Sequence, residues 1–479
     1  MPARMPINPH VIEMEYAVRG PIPQRAEVLK REGRRTIPCN IGNPQALGQP
    51  AISFYRQVVA LLEEPVRLDR EKKLNRILTN TPGIADELRE EDLVSEYVLD
   101  YVQNMLDQWP AGMGAYTESR GPLFIREAVA RFIDQRDGVS NTDLVPADPD
   151  SIFLTEGASE GVRLILEMMI TDTTDGIMIP IPQYPIYSAT IARCNGTQVN
   201  YYPDEDNDWS LNRAELEKAY KKAVKKGVNV RAIVVINPGN PTGAVMDTKS
   251  GRELISFART HGLAIIADEV YQENLYGAEW TSFAKLVGEE DVTLFSLHST
   301  SKGFYGECGH RGGYVEIRNA PEVEGARADF MDLFLKQASV RLCSNTVGQA
   351  LMYAVVNPPE EGSEPWAKYT AEKESILNDL HEKAVMVRKS FADMAGVESF
   401  GRIGALYHFP RLNGLPEGTT DFDYCMALLE ATGLVTVNGS GFGQKRGTRH
   451  LRIAFLPPKK MLAEVLPEWI EFHNGYVTV

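Results

Sequence analysis

The hydrophobic positions of this chain change their period along its length. Between about residues 110 and 355, short and almost wholly apolar runs at 151–155, 176–180, 231–237, 263–268 and 293–299 alternate with stretches of helical periodicity. A run without polar alternation has no face to give to water, so these read as buried strands. Buried strands alternating with helices predict an α/β sheet covered on both sides. The segment 211–227 sets Leu216, Ala219, Tyr220, Ala223 and Val224 on one helical stripe, keeps Lys218, Lys222 and Lys225 off it and ends at a glycine; this predicts a surface helix with one packed face. At 357–365, Pro358, Pro359, Gly362 and Pro365 interrupt an acidic stretch and resist helix continuation, so a new unit is expected there. It opens with an amphipathic helix carrying Ile376, Leu380, Ala384, Val387, Phe391 and Met394, followed by strand-like 404–409 and 434–437. The charged stretch 63–96 reads as solvated helical surface. The resulting organisation is an N-terminal arm (1–45), a joining segment (46–110), a large domain (111–356) and the C-terminal part of a smaller α+β domain (357–479), which also draws on the chain's start.

Composition narrows the classes. A length of 479 residues allows two or three domains, and 43% apolar with 24% charged residues excludes wholesale disorder. The net charge of −15 would repel a phosphate backbone, so no nucleic-acid partner is expected. Apolar runs fall far short of the roughly 20 residues that cross a bilayer, so no membrane partner is expected. Five scattered cysteines without a C-x-x-C pair argue against a disulfide framework and a zinc site, and no metal is expected. The first ten residues read as neither a secretory signal nor a transit peptide, which makes a cytoplasmic, reducing location the expectation.

Four segments between residues 157 and 311 carry candidate chemistry. Glu156-Gly157-Ala158-Ser159 follows an apolar strand and opens a helix, offering free backbone N–H groups to an anion; simple capping is the plainer reading. Asn237-Pro238-Gly239-Asn240-Pro241-Thr242-Gly243 lies at the carboxyl end of a buried strand, where α/β proteins put ligands, and its two asparagines suggest an amide aimed at one. Asp268 emerges from a dry strand and needs a partner, with Tyr271 three residues on. Ser299-Thr300-Ser301-Lys302-Gly303 places a lysine on a loop among small hydroxyl residues, and Arg311 lies nine residues further on. Each piece alone favours a structural role. Together, and in this order, they meet the demands of pyridoxal 5'-phosphate: Lys302 for a Schiff base, Asp268 for the ring nitrogen, Asn240 and Tyr271 for the phenolic oxygen, and Ala158, Ser159, Ser299, Ser301 and Arg311 for the phosphate.

With these residues in place the sequence resembles the fold-type I pyridoxal phosphate enzymes of the class I aminotransferase group, and within it the alanine aminotransferases. The narrower likeness rests on Glu15-Tyr16-Ala17-Val18-Arg19-Gly20, Asn40-Ile41-Gly42-Asn43-Pro44-Gln45, Pro180-Ile181-Pro182-Gln183-Tyr184-Pro185, Asn237 to Gly243, Asp268-Glu269-Val270-Tyr271-Gln272-Glu273-Asn274 and Tyr305-Gly306-Glu307-Cys308-Gly309. The resemblance implies a three-layer large domain with a mostly parallel seven-stranded sheet. It implies that Tyr184 stacks on the pyridine ring, that Tyr116 reaches the phosphate in a neighbouring subunit, and that Gly42, Asn240 and Arg452 meet the substrate, with Arg452 gripping its α-carboxylate. It implies a homodimer with shared sites that moves an amino group between amino acids and 2-oxo acids, chiefly L-alanine and 2-oxoglutarate. Lys302 then serves as the base, with Asp268 and Tyr184 beside it as catalytic groups. A glutamate:glyoxylate aminotransferase and a lyase of the aminocyclopropane carboxylate synthase type share nearly all of these residues. Arg19 is a candidate for glutamate's distal carboxylate. A transcription regulator lacks support for an added DNA-binding domain, and Gly439-Ser440-Gly441-Phe442-Gly443 lacks the third glycine of a dinucleotide fingerprint, since Gln444 occupies its place.

Overall fold

The apolar runs form the centre of a seven-stranded sheet in the computed structural model, which describes residues 5–13, 20–81, 83, 94–141, 144–325 and 329–477. In chain order the strands are β1 (Ile152–Glu156), β2 (Asp175–Pro180), β3 (Thr197–Tyr201), β4 (Asn229–Ile236), β5 (Ala264–Asp268), β6 (Leu294–Ser299) and β7 (Gly312–Arg318). Their spatial order is β1-β7-β6-β5-β4-β2-β3. All neighbours are parallel except those of β7, which runs antiparallel to both β1 and β6. The alternation of side chains along a strand sorts the core: Ile233, Val235, Ile265 and Ala267 pack on the face covered by helices Arg213–Val224, Thr248–His261 and Phe283–Val287, whereas Ala232, Val234, Ala264 and Ile266 pack on the other, under helix Ala158–Met169.

Register creates a ligand rim. Ile236 pairs with Asp268, and Asp268 with Leu297, so β4, β5 and β6 end at nearly the same level. The antiparallel β7 starts at that rim, with Gly312 opposite Glu156 and Gly313 opposite Ser299. The loops after β1, β4, β5 and β6 and the residue before β7 therefore converge at one end of the sheet, which is why residues as far apart in the chain as Ala158 and Arg311 share one cavity.

A further core gathers both ends of the chain. Ile22, Ala26 and Leu29 of helix Pro21–Arg31, with Ile37 and Cys39, pack against Ala384, Val387 and Phe391, Leu428 and Leu429, and Leu462, Val465 and Trp469. Ile37–Pro38 pairs in parallel with Leu434–Val435, and Leu451–Ala454 lies between Tyr407–His408 and Val437–Asn438. Helix Lys459–Tyr476, which the sequence pattern did not mark, closes this core with Trp469 fully buried.

Several expectations need correction. The helix expected over 211–227 spans Arg213–Val224, capped by the Asn212 side chain accepting from the Ala214 N–H at 2.8 Å; Val224 at its end is exposed rather than part of the packed stripe. The strand expected over 404–409 pairs only at Tyr407–His408, and 434–437 breaks into two short strands at Thr436. Strand β3 was missed because Gln198 and Asn200 face solvent at the sheet edge; β7 was missed because it buries Glu316, which bonds Arg318 at 2.7 Å. Within 63–96, helix Pro65–Thr79 is largely exposed but buries Leu68 and Leu78, and most of the remainder lies outside the described residues.

Candidate active site

At the sheet's rim lies a cavity of about 400 Å³, and of the described residues assigned to cofactor or substrate all but one line it: Gly42, Ala158, Ser159, Tyr184, Asn240, Asp268, Tyr271, Ser299, Ser301, Lys302, Arg311 and Arg452. The exception is Tyr116, which is 79% exposed. Arg19 and its neighbours 14–18 lie outside the described residues.

Asp268 occupies the floor. It is the last residue of β5, and strand alternation turns it into the cavity while Glu269 points away, accepting from the Phe283 N–H at 2.8 Å. Its carboxylate accepts from the Tyr187 hydroxyl at 2.9 Å. Burial pushes the Asp268 carboxyl up from 3.8 to about 6, although the Tyr187 hydroxyl, the Val270 N–H and the Lys302 ammonium pull the other way. This is a carboxylate with too little positive charge facing it, suited to a ligand that brings a protonated nitrogen. Tyr187 gave no sequence signal: a tyrosine on an apolar helical stripe reads as core, and only its position three residues after Tyr184 sets it on the same side.

Lys302 follows β6 on a tight turn, and its ammonium donates to the Gly42 carbonyl at 2.5 Å. A Cβ added at Gly42 would stand 2.0 Å from the Tyr407 hydroxyl and 3.1 Å from Lys302 Nζ, so only glycine permits this close approach.

The anion cradle is built at the meeting of β1, β6 and β7. Ser299 donates to the Gly312 carbonyl at 3.0 Å and lies 2.9 Å from the Ser301 hydroxyl. Arg311, with φ of 59° in the left-handed region, is held by bonds to the Glu156 carbonyl (2.8 Å), the Cys308 carbonyl (3.0 Å) and Ser159 Oγ (3.1 Å). Gly157, at φ 71°, gives the guanidinium its place: a Cβ there would lie 2.7 Å from Arg311 Nη2. The helix Ala158–Met169 starts directly beneath, aiming its free N–H groups at the same space.

Arg452 comes from the distant strand Leu451–Ala454. It donates to Asn240 Oδ1 at 3.0 Å and to the Asn40 carbonyl at 2.5 Å, and its guanidinium sits between the rings of Tyr407 (4.3 Å) and Phe442 (4.7 Å). Two of five N–H donors are thus committed to orientation; its buried Nε has no partner among the described residues. Phe442, within the glycine-rich 439–443 turn, serves this stacking. Asn240 donates in turn to the Tyr271 hydroxyl at 3.4 Å. Asn237, the other asparagine of its turn, is spent on structure: its Oδ1 accepts from the Met246 N–H at 2.9 Å.

The donor set fits pyridoxal 5'-phosphate: an amine, a cation-seeking carboxylate, a neutral amide–phenol pair and a cationic cradle share one cavity of suitable size. No group of three or more His, Cys, Asp or Glu able to hold a metal occurs among the described residues, and no described helix is long and apolar enough to cross a membrane.

Residues 102–466 match the family model of "Aminotransferase class I and II". The chain is 40% identical over 498 residues to alanine aminotransferase 2, mitochondrial, of Arabidopsis thaliana, covering 98% of this chain and 87% of that protein. It is 39% identical over 490 residues to glutamate–glyoxylate aminotransferase 1 of the same plant, covering 98% and 96%. Among solved structures, an alanine aminotransferase from Pyrococcus furiosus superposes with a TM-score of 0.76 over 98% of this chain and 100% of that one; at 23% identity this likeness speaks for the fold.

Proposed function

This chain belongs to the class I and II aminotransferase family and is a pyridoxal phosphate-dependent transaminase, and we propose that it interconverts L-alanine and 2-oxoglutarate with pyruvate and L-glutamate. The observation that carries the reading is the convergence of Lys302, Asp268 and Arg452 on one cavity, in a chain similar over 98% of its length to alanine aminotransferases.

In this reading Lys302 would bond the cofactor's aldehyde carbon. Asp268 would hold the ring nitrogen's proton, Asn240 and Tyr271 the phenolic oxygen, Tyr184 the ring face, and Ala158, Ser159, Ser299, Ser301 and Arg311 the phosphate. When bound, the group supplies an electron sink for the pair left at the substrate α-carbon. The chain's residues do the rest. Arg452, braced by Asn240, Asn40 and two aromatic rings, receives the α-carboxylate on its remaining N–H groups, and the planar fork fixes the substrate's orientation. The Lys302 amine, once released, would accept the substrate α-proton and return a proton to the cofactor carbon that had been bonded to it. Walls of Ile41, Val162, Ile186 and Ile236 limit water.

We also propose a homodimer in which Tyr116, exposed on its own chain, completes the partner's phosphate site. Five unpaired cysteines support a reducing, cytoplasm-like compartment.

The test is a ranking of amino donors and 2-oxo acids by kcat/KM. Alanine with 2-oxoglutarate is expected to lead. A lead by glutamate with glyoxylate would favour the second reading, which the 39% identical relative supports. A product other than a stoichiometric 2-oxo acid would indicate elimination and overturn both.

A further inference from the structure

Tyr407 gives its ring to Arg452, and its hydroxyl stands where the lysine and the amide–phenol pair meet. It is 2% exposed, lines the cavity, and lies on the short strand Tyr407–His408 that pairs with the strand of Arg452. The hydrogen bonds leading to it run one way. Arg452 donates to Asn240 Oδ1, the Asn240 amide donates to the Tyr271 hydroxyl, and Tyr271 donates to the Tyr407 hydroxyl at 3.3 Å. As the last acceptor in this series, Tyr407 keeps its own proton for the cavity. Its oxygen and Lys302 Nζ both crowd the point where a Gly42 side chain would begin, and Lys302 Nζ already rests on the Gly42 carbonyl.

The charges agree with the geometry. Burial alone would raise the Tyr407 phenol, but the Lys302 ammonium and Arg452 guanidinium outweigh it and hold the group below the ordinary tyrosine range of 10; Tyr271, one step further from Lys302, is pushed well above that range by burial and by Tyr407 itself. The two phenols thus share their protons unequally, and the more acidic one faces the lysine.

We propose that Tyr407 is a positioning residue for the transamination step: its hydroxyl and the Gly42 carbonyl form a two-point cradle that holds the freed Lys302 amine over the substrate α-carbon. The inference rests on the aminotransferase reading of the cavity. A carbonyl accepts an N–H from the amine, whereas a phenol can donate to its lone pair; only the second contact distinguishes the neutral amine that takes a proton from the ammonium that returns it. Tyr407 therefore acts through Lys302 and touches the reacting carbon only through it.

The experiment compares the full-length wild-type protein with Tyr407→Phe, which keeps the ring against Arg452 and removes only the hydroxyl. With alanine and 2-oxoglutarate, kcat is expected to fall about 10- to 100-fold with KM for alanine within about threefold, as a misaligned base costs the chemical step more than binding. The rate difference between alanine and alanine deuterated at the α-carbon is expected to grow. A readout independent of turnover is the tyrosinate absorbance of the cofactor-free proteins, in which Lys302 is an ammonium: the wild type is expected to show one tyrosine ionising below the ordinary range, and Tyr407→Phe to lack it. Unchanged kcat, or a loss confined to KM, overturns the proposal, as does an identical tyrosinate titration. Failure of the wild type itself to transaminate alanine would instead defeat the specificity reading, leaving these comparisons to be made with the amino acid that it does accept.

Discussion

At the scale of single residues, Asp268 shows how a site can be set against the stability of its own fold. Its carboxyl rises from 3.8 to about 6 through burial, so the unfolded chain releases this proton more readily than the folded one. Stability from this group is complete below pH 3.8 and is lost as pH rises through about 6, amounting to about 3 kcal/mol in the protein without cofactor. Asp268→Asn removes that titration. In denaturant unfolding of the cofactor-free protein, the variant is expected to gain stability over wild type as pH is raised from 4 to 7, while turnover of the loaded enzyme falls by about 100-fold or more. Near-normal turnover would contradict the role given to Asp268. Lys302, Asp268 and Asn240 were legible in the sequence because each closely follows an apolar run, and Arg311 because it lies nine residues after Lys302. Tyr187 and Tyr407 were not, since an aromatic residue in an apolar segment carries no local sign of where its hydroxyl points.

At the scale of elements, the turn from β1 into helix Ala158–Met169 decides where Arg311 lies. Gly157 takes a left-handed φ and leaves room that a Cβ would remove, 2.7 Å from Arg311 Nη2. Gly157→Ala strains the turn by about 1 kcal/mol and displaces the guanidinium from Ser159 and the Glu156 carbonyl. Spectroscopic titration with pyridoxal 5'-phosphate is expected to show affinity reduced by about 10-fold or more, since charged hydrogen bonds contribute about 1.5–3 kcal/mol each. Unaltered affinity would mean that Arg311 does not hold the phosphate. Strands β1, β2, β4, β5 and β6 were readable from their apolar runs alone. The edge strand β3 and the Glu316-bearing β7 were not, because a solvated face in one and an internal ion pair in the other break the apolar run that identifies a strand.

At the scale of the whole molecule, the site draws on residues far apart in the chain: Arg452 bonds the Asn40 carbonyl across 412 positions. The core that holds both joins helix Pro21–Arg31 to the C-terminal helix and strands. Tyr116, exposed on one chain, extends the argument to two. If it completes a neighbour's site, mixing Tyr116→Ala with Lys302→Ala chains is expected to restore activity absent from Lys302→Ala and weak in Tyr116→Ala, up to about a quarter of the wild-type rate for random dimers. No gain on mixing, after subunit exchange is verified, would place Tyr116 outside the site. What the sequence by itself determined was local in origin: which runs are buried, where turns follow them, and which reactive side chains stand at their ends. Tertiary structure alone decided that β7 reverses direction to bring Arg311 back to the rim, that Asn237 serves the turn while Asn240 faces the cavity, and that Tyr407 closes on Lys302. Those outcomes depend on register, side-chain direction and the packing of two chain ends, which follow from contacts across the fold and leave no periodic trace along the chain.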